Sequence, residues 1–274
     1  MQSAAIETLE SRLLLKANPL GGEFKVNNDL AGQEILSTQS ANAIAADLDG
    51  NYVVTWASTG SIGGNRDASL FGVYARMFQA DGTAVGSEFK VNTTTVGSQL
   101  FPTVGMNTFG RFVIAWTSLN GQDGSGAGVY AQQFNADGTP LGGEFLVNTT
   151  TQGTQTSPSV AVDGLGNFVV VWQDTGNGSE IRGQYFLSSG APSGTEFTVN
   201  ETPASAGATN CSVSMADDGR FVVAWASTGT NAGVYTRQYA VGAVPAGPDN
   251  RVSTSGGGRP IGLDVDSDGD FVVT

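Results

Sequence analysis

The chain has 274 residues, 39 of them glycine, a formal charge of −13 and no histidine. An acidic chain with a pI near 4.2 lacks the basic footprint that nucleic acid or an anionic membrane surface requires. Without histidine there is no Ser-His triad and no imidazole ligand for zinc or iron, and the single Cys211 excludes an internal disulfide and any multi-cysteine metal site.

The first element in chain order is the stretch AAIETLESRLLLKA, residues 4–17, which has good helix formers and leucines at 9, 13 and 14 near helical spacing. It lacks the basic and then apolar regions of an ordinary secretory signal peptide, and taken alone residues 1–18 read as a bland amphipathic leader, helical or disordered. Beyond it no apolar run approaches the roughly 20 residues needed to cross a bilayer.

From residue 19 onward the sequence repeats. The tetrads Glu23-Phe24-Lys25-Val26, Glu88-Phe89-Lys90-Val91, Glu144-Phe145-Leu146-Val147 and Glu196-Phe197-Thr198-Val199 each precede an asparagine, and between them lie NYVVTWAS, RFVIAWTS, NFVVVWQD and RFVVAWAS. The tryptophans of those runs, Trp56, Trp116, Trp172 and Trp225, are spaced by 60, 56 and 53 residues. Within residues 157–200, SPSVAVDG alternates like a half-buried strand, and NFVVVWQD is a continuous apolar run suited to a strand buried on both faces. IRGQYFL and EFTVN supply two more short strands. Four strands in 50 to 60 residues match a β-propeller blade, whereas an immunoglobulin-like unit needs about 100 residues and a β-solenoid coil about 20 to 30. The expected fold is therefore all-β: an outer strand at 23–27, four blades to about residue 253, and a partial blade over 254–274. DFVVT opens a fifth copy within which the sequence stops, so the chain reads as a fragment of a longer protein whose propeller continues past Thr274.

Residues common to all blades are explained by what every blade needs. The tryptophans are expected to pack between blades, the recurring glutamates to be scaffold rather than a glycosidase pair, and Asn27, Asn92, Asn148 and Asn200 to bond backbone at turns. Tyr74, Tyr130 and Tyr235 share one position, where the third blade has Arg182. Asp174, Glu180 and Arg182 are not repeated, but no spacing joins them.

The last hairpin between first and second strands carries Asp264, Asp266, Asp268 and Asp270 in a D-x-D-x-D-G pattern, which can converge on calcium or serve as a plain Asp-Gly turn. Asp47 and Asp49 are a weaker second candidate.

Two resemblances add to this reading. Leu9-Glu10-Ser11-Arg12-Leu13-Leu14-Leu15 resembles the LEPR-XLL motif of large exported bacterial proteins, with Ser11 in place of its proline, and this resemblance implies export, with residues 1–18 a targeting leader rather than part of the fold. FVVVWQ with VYAQQFNADGTPLGGEFLVN is similar to the FVVVW/VYAQRF-type repeats of large bacterial exoproteins, which carry adhesin-like or calcium-binding modules elsewhere and bring no catalytic residue with them. The expectation is a non-enzymatic surface or adhesion scaffold outside a bacterial cell, with a glycan or protein ligand, calcium as its one candidate cofactor and other modules in the same chain. The alternatives are a glycan-active propeller enzyme and a plain spacer.

Overall fold

The computed structural model describes residues 24–27, 34–35, 42–59, 61–62, 65–66, 71–119, 121–176, 178–201, 207–228, 231–253 and 262–274. The leader expected over residues 1–18 lies outside them. All regular structure among the described residues is β: four antiparallel sheets of four or five strands arranged as propeller blades, and two two-stranded hairpins, of which one pairs 61–62 with 65–66.

Blade 2 shows the plan: Gln99–Met106, Phe112–Ser118, Gly128–Phe134 and Pro140–Leu146 pair in sequence order from the innermost strand outward. Blade 3 follows it with Gln155–Val162, Phe168–Asp174, Glu180–Phe186 and a short fourth strand, Phe197–Thr198. Blade 1 is built on Ile44–Ala46, Tyr52–Ser58, Gly72–Phe78 and Ala84–Lys90, and blade 4 on Ala208–Met215, Phe221–Ser227 and Gly233–Ala240. Leu263–Val265 and Phe271–Val273 form a further hairpin against blade 4.

The second strands are mostly apolar and almost wholly buried because both their faces are covered. Phe168, Val170 and Trp172 meet Val113, Ala115, Val129 and Val147 of blade 2, while the alternate residues Val169 and Val171 meet Val213, Phe221 and Trp225 of blade 4. Strand periodicity of two thus sends one residue set to each neighbour. The core is the set of boundaries between blades, and Trp116, Trp172 and Trp225 each fill the boundary with the preceding blade, as expected.

Two contacts recur at these boundaries. The Phe of each fourth strand packs on the aromatic ring ending the third strand of the next blade: Phe89 on Phe134, Phe145 on Phe186 and Phe197 on Tyr239, all at 5.5 Å. Phe24 meets Phe78 at the same 5.5 Å, and Arg76 Nη1 donates to the Val26 carbonyl at 2.9 Å as Arg237 Nη1 does to Val199 at 2.8 Å. Residues 24–27 therefore lie against blade 1 as an outer strand would.

Glycine is demanded where crossovers touch hairpins. Gly153 has φ +90°, and a Cβ there would lie 2.3 Å from Gly176 Cα. Gly153→Ala is expected to destabilise the fold by about 2–3 kcal/mol, against about 1 for Gly142→Ala, where φ is +80° but the space is open. Urea unfolding of the two variants checks the difference.

Candidate functional site

The two ends of the blades are built differently. At one end, hairpins 47–51, 107–111, 163–167, 216–220 and 266–270 join first to second strands with one geometry: a glycine at positive φ and an Asx side chain that accepts backbone N–H, at the first position in four of them and at Asp218 in the other. At the other end lie the connections from second to third strands, which leave Ser58, Ser118, Asp174 and Ser227 and arrive at Gly72, Gly128, Glu180 and Gly233, and the crossovers between blades lie beside them. Uniform hairpins serve folding, whereas loops that differ from blade to blade are where a site can be placed on a common scaffold.

The crossovers on the variable face are clasped by the repeated residues. Asn92 Oδ1 accepts the Val73 N–H at 2.7 Å while its amide donates to the Thr94 carbonyl. Asn148 does the same with Val129 and Thr150, as the side-chain-to-backbone expectation required. Glu144 of blade 2 reaches back to crossover 93–98: its Oε2 accepts from Thr93 N at 2.7 Å, Thr93 Oγ1 at 3.0 Å and Thr94 N at 3.2 Å. Glu196 of blade 3 repeats the clasp on Thr149 and Thr150. Glu144 and Glu196 thus tie their own blades to the crossovers behind them.

Blade 3 breaks the pattern at Arg182, which stands opposite Trp172 on the neighbouring strand, with Asp174 and Glu180 forming another opposed pair in the same register. Its Nε lies 3.0 Å from Asp174 Oδ2, its Nη2 3.0 Å from Glu180 Oε2 and its Nη1 2.9 Å from Glu196 Oε1. Tertiary pairing thus links the three non-repeated residues that spacing alone left separate, and adds Glu196, which sequence reasoning set aside as scaffold. The Asp174 side chain is 1% exposed and that of Glu196 4%, whereas Glu180 keeps 23%. Burial opposes the charge on Arg182, but Glu196, Asp174 and Glu180 outweigh it and raise its pKa. Burial likewise works to raise the Glu196 carboxyl, and donors from Thr150 and Thr149 overcome it, leaving it lowered. The arrangement is a fixed cation ringed by carboxylates on a loop face, with Glu180 and the guanidinium edge open to a polar ligand.

In blade 2 the position holds Tyr130, whose phenol is pushed up to about 12 by burial and by Asp123 and Glu144.

The acidic hairpin is placed on the opposite, uniform face. Asp266 Oδ1 accepts N–H from Asp268, Gly269 and Asp270, each at 2.9 Å, so it closes its turn as Asp163 and Asn107 close theirs. Arg220 donates to the Ser267 and Asp268 carbonyls, and Asp264, Asp266 and Asp270 line one surface hollow. In Asp47 the same role is served, with Asn51 N at 2.8 Å from Oδ1. Among the described residues, no group of three or more His, Cys, Asp or Glu side chains is gathered to hold a metal ion.

The fold is a β-propeller, and solved propellers resemble it closely enough to compare. No family model and no curated protein sequence matches the chain. Among solved structures, a Dyadobacter fermentans protein of unknown function is 12% identical, with TM-score 0.55 over 81% of this chain and 70% of that one. An α-L-arabinofuranosidase from Fusarium graminearum is 14% identical, with TM-score 0.55 over 85% of this chain and 74% of that one. A Penicillium chrysogenum α-L-arabinanase complexed with arabinobiose is 13% identical, with TM-score 0.53 over 85% and 74%.

At these identities the likeness shows the fold. It also corrects the expectation of a non-enzymatic adhesion scaffold: the propellers this chain resembles include glycoside hydrolases, so the glycan-active alternative is the reading carried forward. That expectation rested on the absence of a catalytic motif among the repeats, and repeats report only what every blade shares. Among the described residues, no helix is long and apolar enough to cross a membrane.

Proposed function

We propose that this chain is the propeller of a glycan-active enzyme, with its site on the variable loop face around Arg182 and arabinose-containing polysaccharides as the first substrate class to test. The observation that carries the reading is the Arg182 cluster itself. An arginine at this strand position with carboxylates on all its nitrogens is found among the described residues in blade 3 alone, it faces the loops that vary, and it sets an accessible carboxylate, Glu180, beside a fixed guanidinium. Sugar hydroxyls are met by such donors and acceptors, and glycoside cleavage draws on carboxyl groups. The comparison with the arabinanase and arabinofuranosidase propellers supports the substrate class and no residue role.

The test is incubation of the chain with arabinan and arabinoxylan, following reducing-sugar release, together with affinity electrophoresis in gels containing the same polymers. Release that falls at least tenfold in Glu180→Gln supports the proposal. Retardation without release reassigns the face to glycan binding alone, and neither effect overturns the reading.

An exported setting belongs to the same proposal, because a polysaccharide of this kind is met outside the cell. Export of a reporter carrying residues 1–18 would support it, and retention inside the cell would count against it.

Calcium at Asp264, Asp266, Asp268 and Asp270 is a separate proposal, supported by the hollow that three of them line. An ion would have to draw the side chains together, and binding to the native state alone raises the melting temperature. A rise with calcium over chelator that disappears when Asp266→Ala and Asp268→Ala are combined supports the site. An unchanged melt rejects it.

A further inference from the structure

The two carboxylate clasps on the variable face are alike at one oxygen and different at the other. In both, Oε2 takes three donors from the two threonines that open a crossover. At Oε1, Glu196 meets the Arg182 guanidinium at 2.9 Å, whereas Glu144 accepts from the neutral Gln122 amide at 2.7 Å. Gln122 is in turn held by Thr94 Oγ1, to which it donates at 2.9 Å, and by Ser118 Oγ, from which it accepts at 2.6 Å. The remaining titratable groups also differ. Near Glu144 are the Tyr130 phenol, neutral throughout the acid range, and Asp123, which acts on that same phenol. Around Glu196 stands Arg182, with Asp174 and Glu180 on its other nitrogens.

We propose that crossover 93–98 is an acid-released latch, opening when Glu144 takes up a proton, while the matching crossover 149–154 stays shut to lower pH because its clasp is tied to Arg182. An ionised carboxylate accepts at both oxygens, but a protonated one turns one oxygen into a donor and strips the charge from the other, so either the three donors on Oε2 or the Gln122 amide on Oε1 lose their acceptor and the remaining bonds weaken. A guanidinium in contact favours the ionised form and a neutral amide does so less, which separates the two titrations. Asp174 and Glu180 repel Glu196, but the guanidinium lies between them and it. Both carboxyls are lowered on folding, burial opposing and the threonine donors prevailing. A lowered folded value means that each clasp stabilises the fold above the unfolded carboxyl range and is lost as pH falls through its own folded value. The latch is independent of the glycan reading and releases one edge of the variable face before the other.

Hydrogen exchange of the 274-residue chain across pH 7 to 3, corrected for intrinsic rates, tests this with amides of the second strands as the global reference. The expected result is that Thr93 and Thr94 lose protection about one pH unit above Thr149 and Thr150, while second-strand amides remain protected. Gln122→Lys, a loop substitution, should move the 93–98 step toward that of 149–154, and Glu144→Gln should abolish it. Steps at the same pH, the reverse order, or no step before global unfolding would overturn the proposal.

Discussion

Replacing Arg182 with leucine should destabilise the chain by about 3–5 kcal/mol, because it leaves Asp174 and Glu196 buried without their cation. Removing one member of a buried ionic cluster is costly in a way that removing all of it is not. Combining Arg182→Leu with Asp174→Asn and Glu196→Gln should therefore recover most of the loss, although the amide introduced by Glu196→Gln would keep only part of the clasp on Thr149 and Thr150. Urea midpoints of the single and triple variants decide the point. The pair also separates structure from chemistry. If sugar release is absent in a triple variant that has regained stability, the cluster acts on the ligand. If release returns with stability, the cluster is a strut and the site lies elsewhere on the loop face.

The second large effect is expected at Trp172, which is fully buried between blades 2 and 3. Trp172→Ala should cost about 3–5 kcal/mol, since rigid sheets on both sides cannot collapse into the space. Leu165→Ala, at a hairpin tip with 77% of its surface exposed, should change stability by less than about 0.5 kcal/mol. Both belong to the same repeat, so thermal melts of the two variants compare boundary and rim directly. Equal shifts would show that stability does not reside in the blade boundaries.

The strand order of each blade was legible because periodicity is local chemistry. The continuous run Phe168–Asp174 declares a strand covered on both faces, and the Asp137-Gly138 pair between the third and fourth strands of blade 2 is turn chemistry of the same local kind, with Asp137 Oδ1 accepting Thr139 N at 2.9 Å. The asparagine bonds were legible for the same reason. The acidic hairpin shows the limit of such reading: the first aspartate of a D-x-D-x-D-G pattern is also what an Asx turn requires, and Asp266 is used that way.

What the sequence by itself determined is the repeat, its four strands and the residues that every blade needs, since alternation, turn chemistry and copying are written along the chain. Tertiary structure alone decided which neighbour each face of a strand meets, that Arg182 gathers Asp174, Glu180 and Glu196, and that Glu144 closes a crossover about 50 residues behind it. The physical reason is that those contacts join residues brought together by the pairing of strands within a blade or by the stacking of whole sheets, and neither choice of partner is written locally along the chain. The same reason corrects the functional reading. Repetition identified the scaffold, but the position that departs from the repeat acquires its chemistry only when neighbouring strands and crossovers are brought against it.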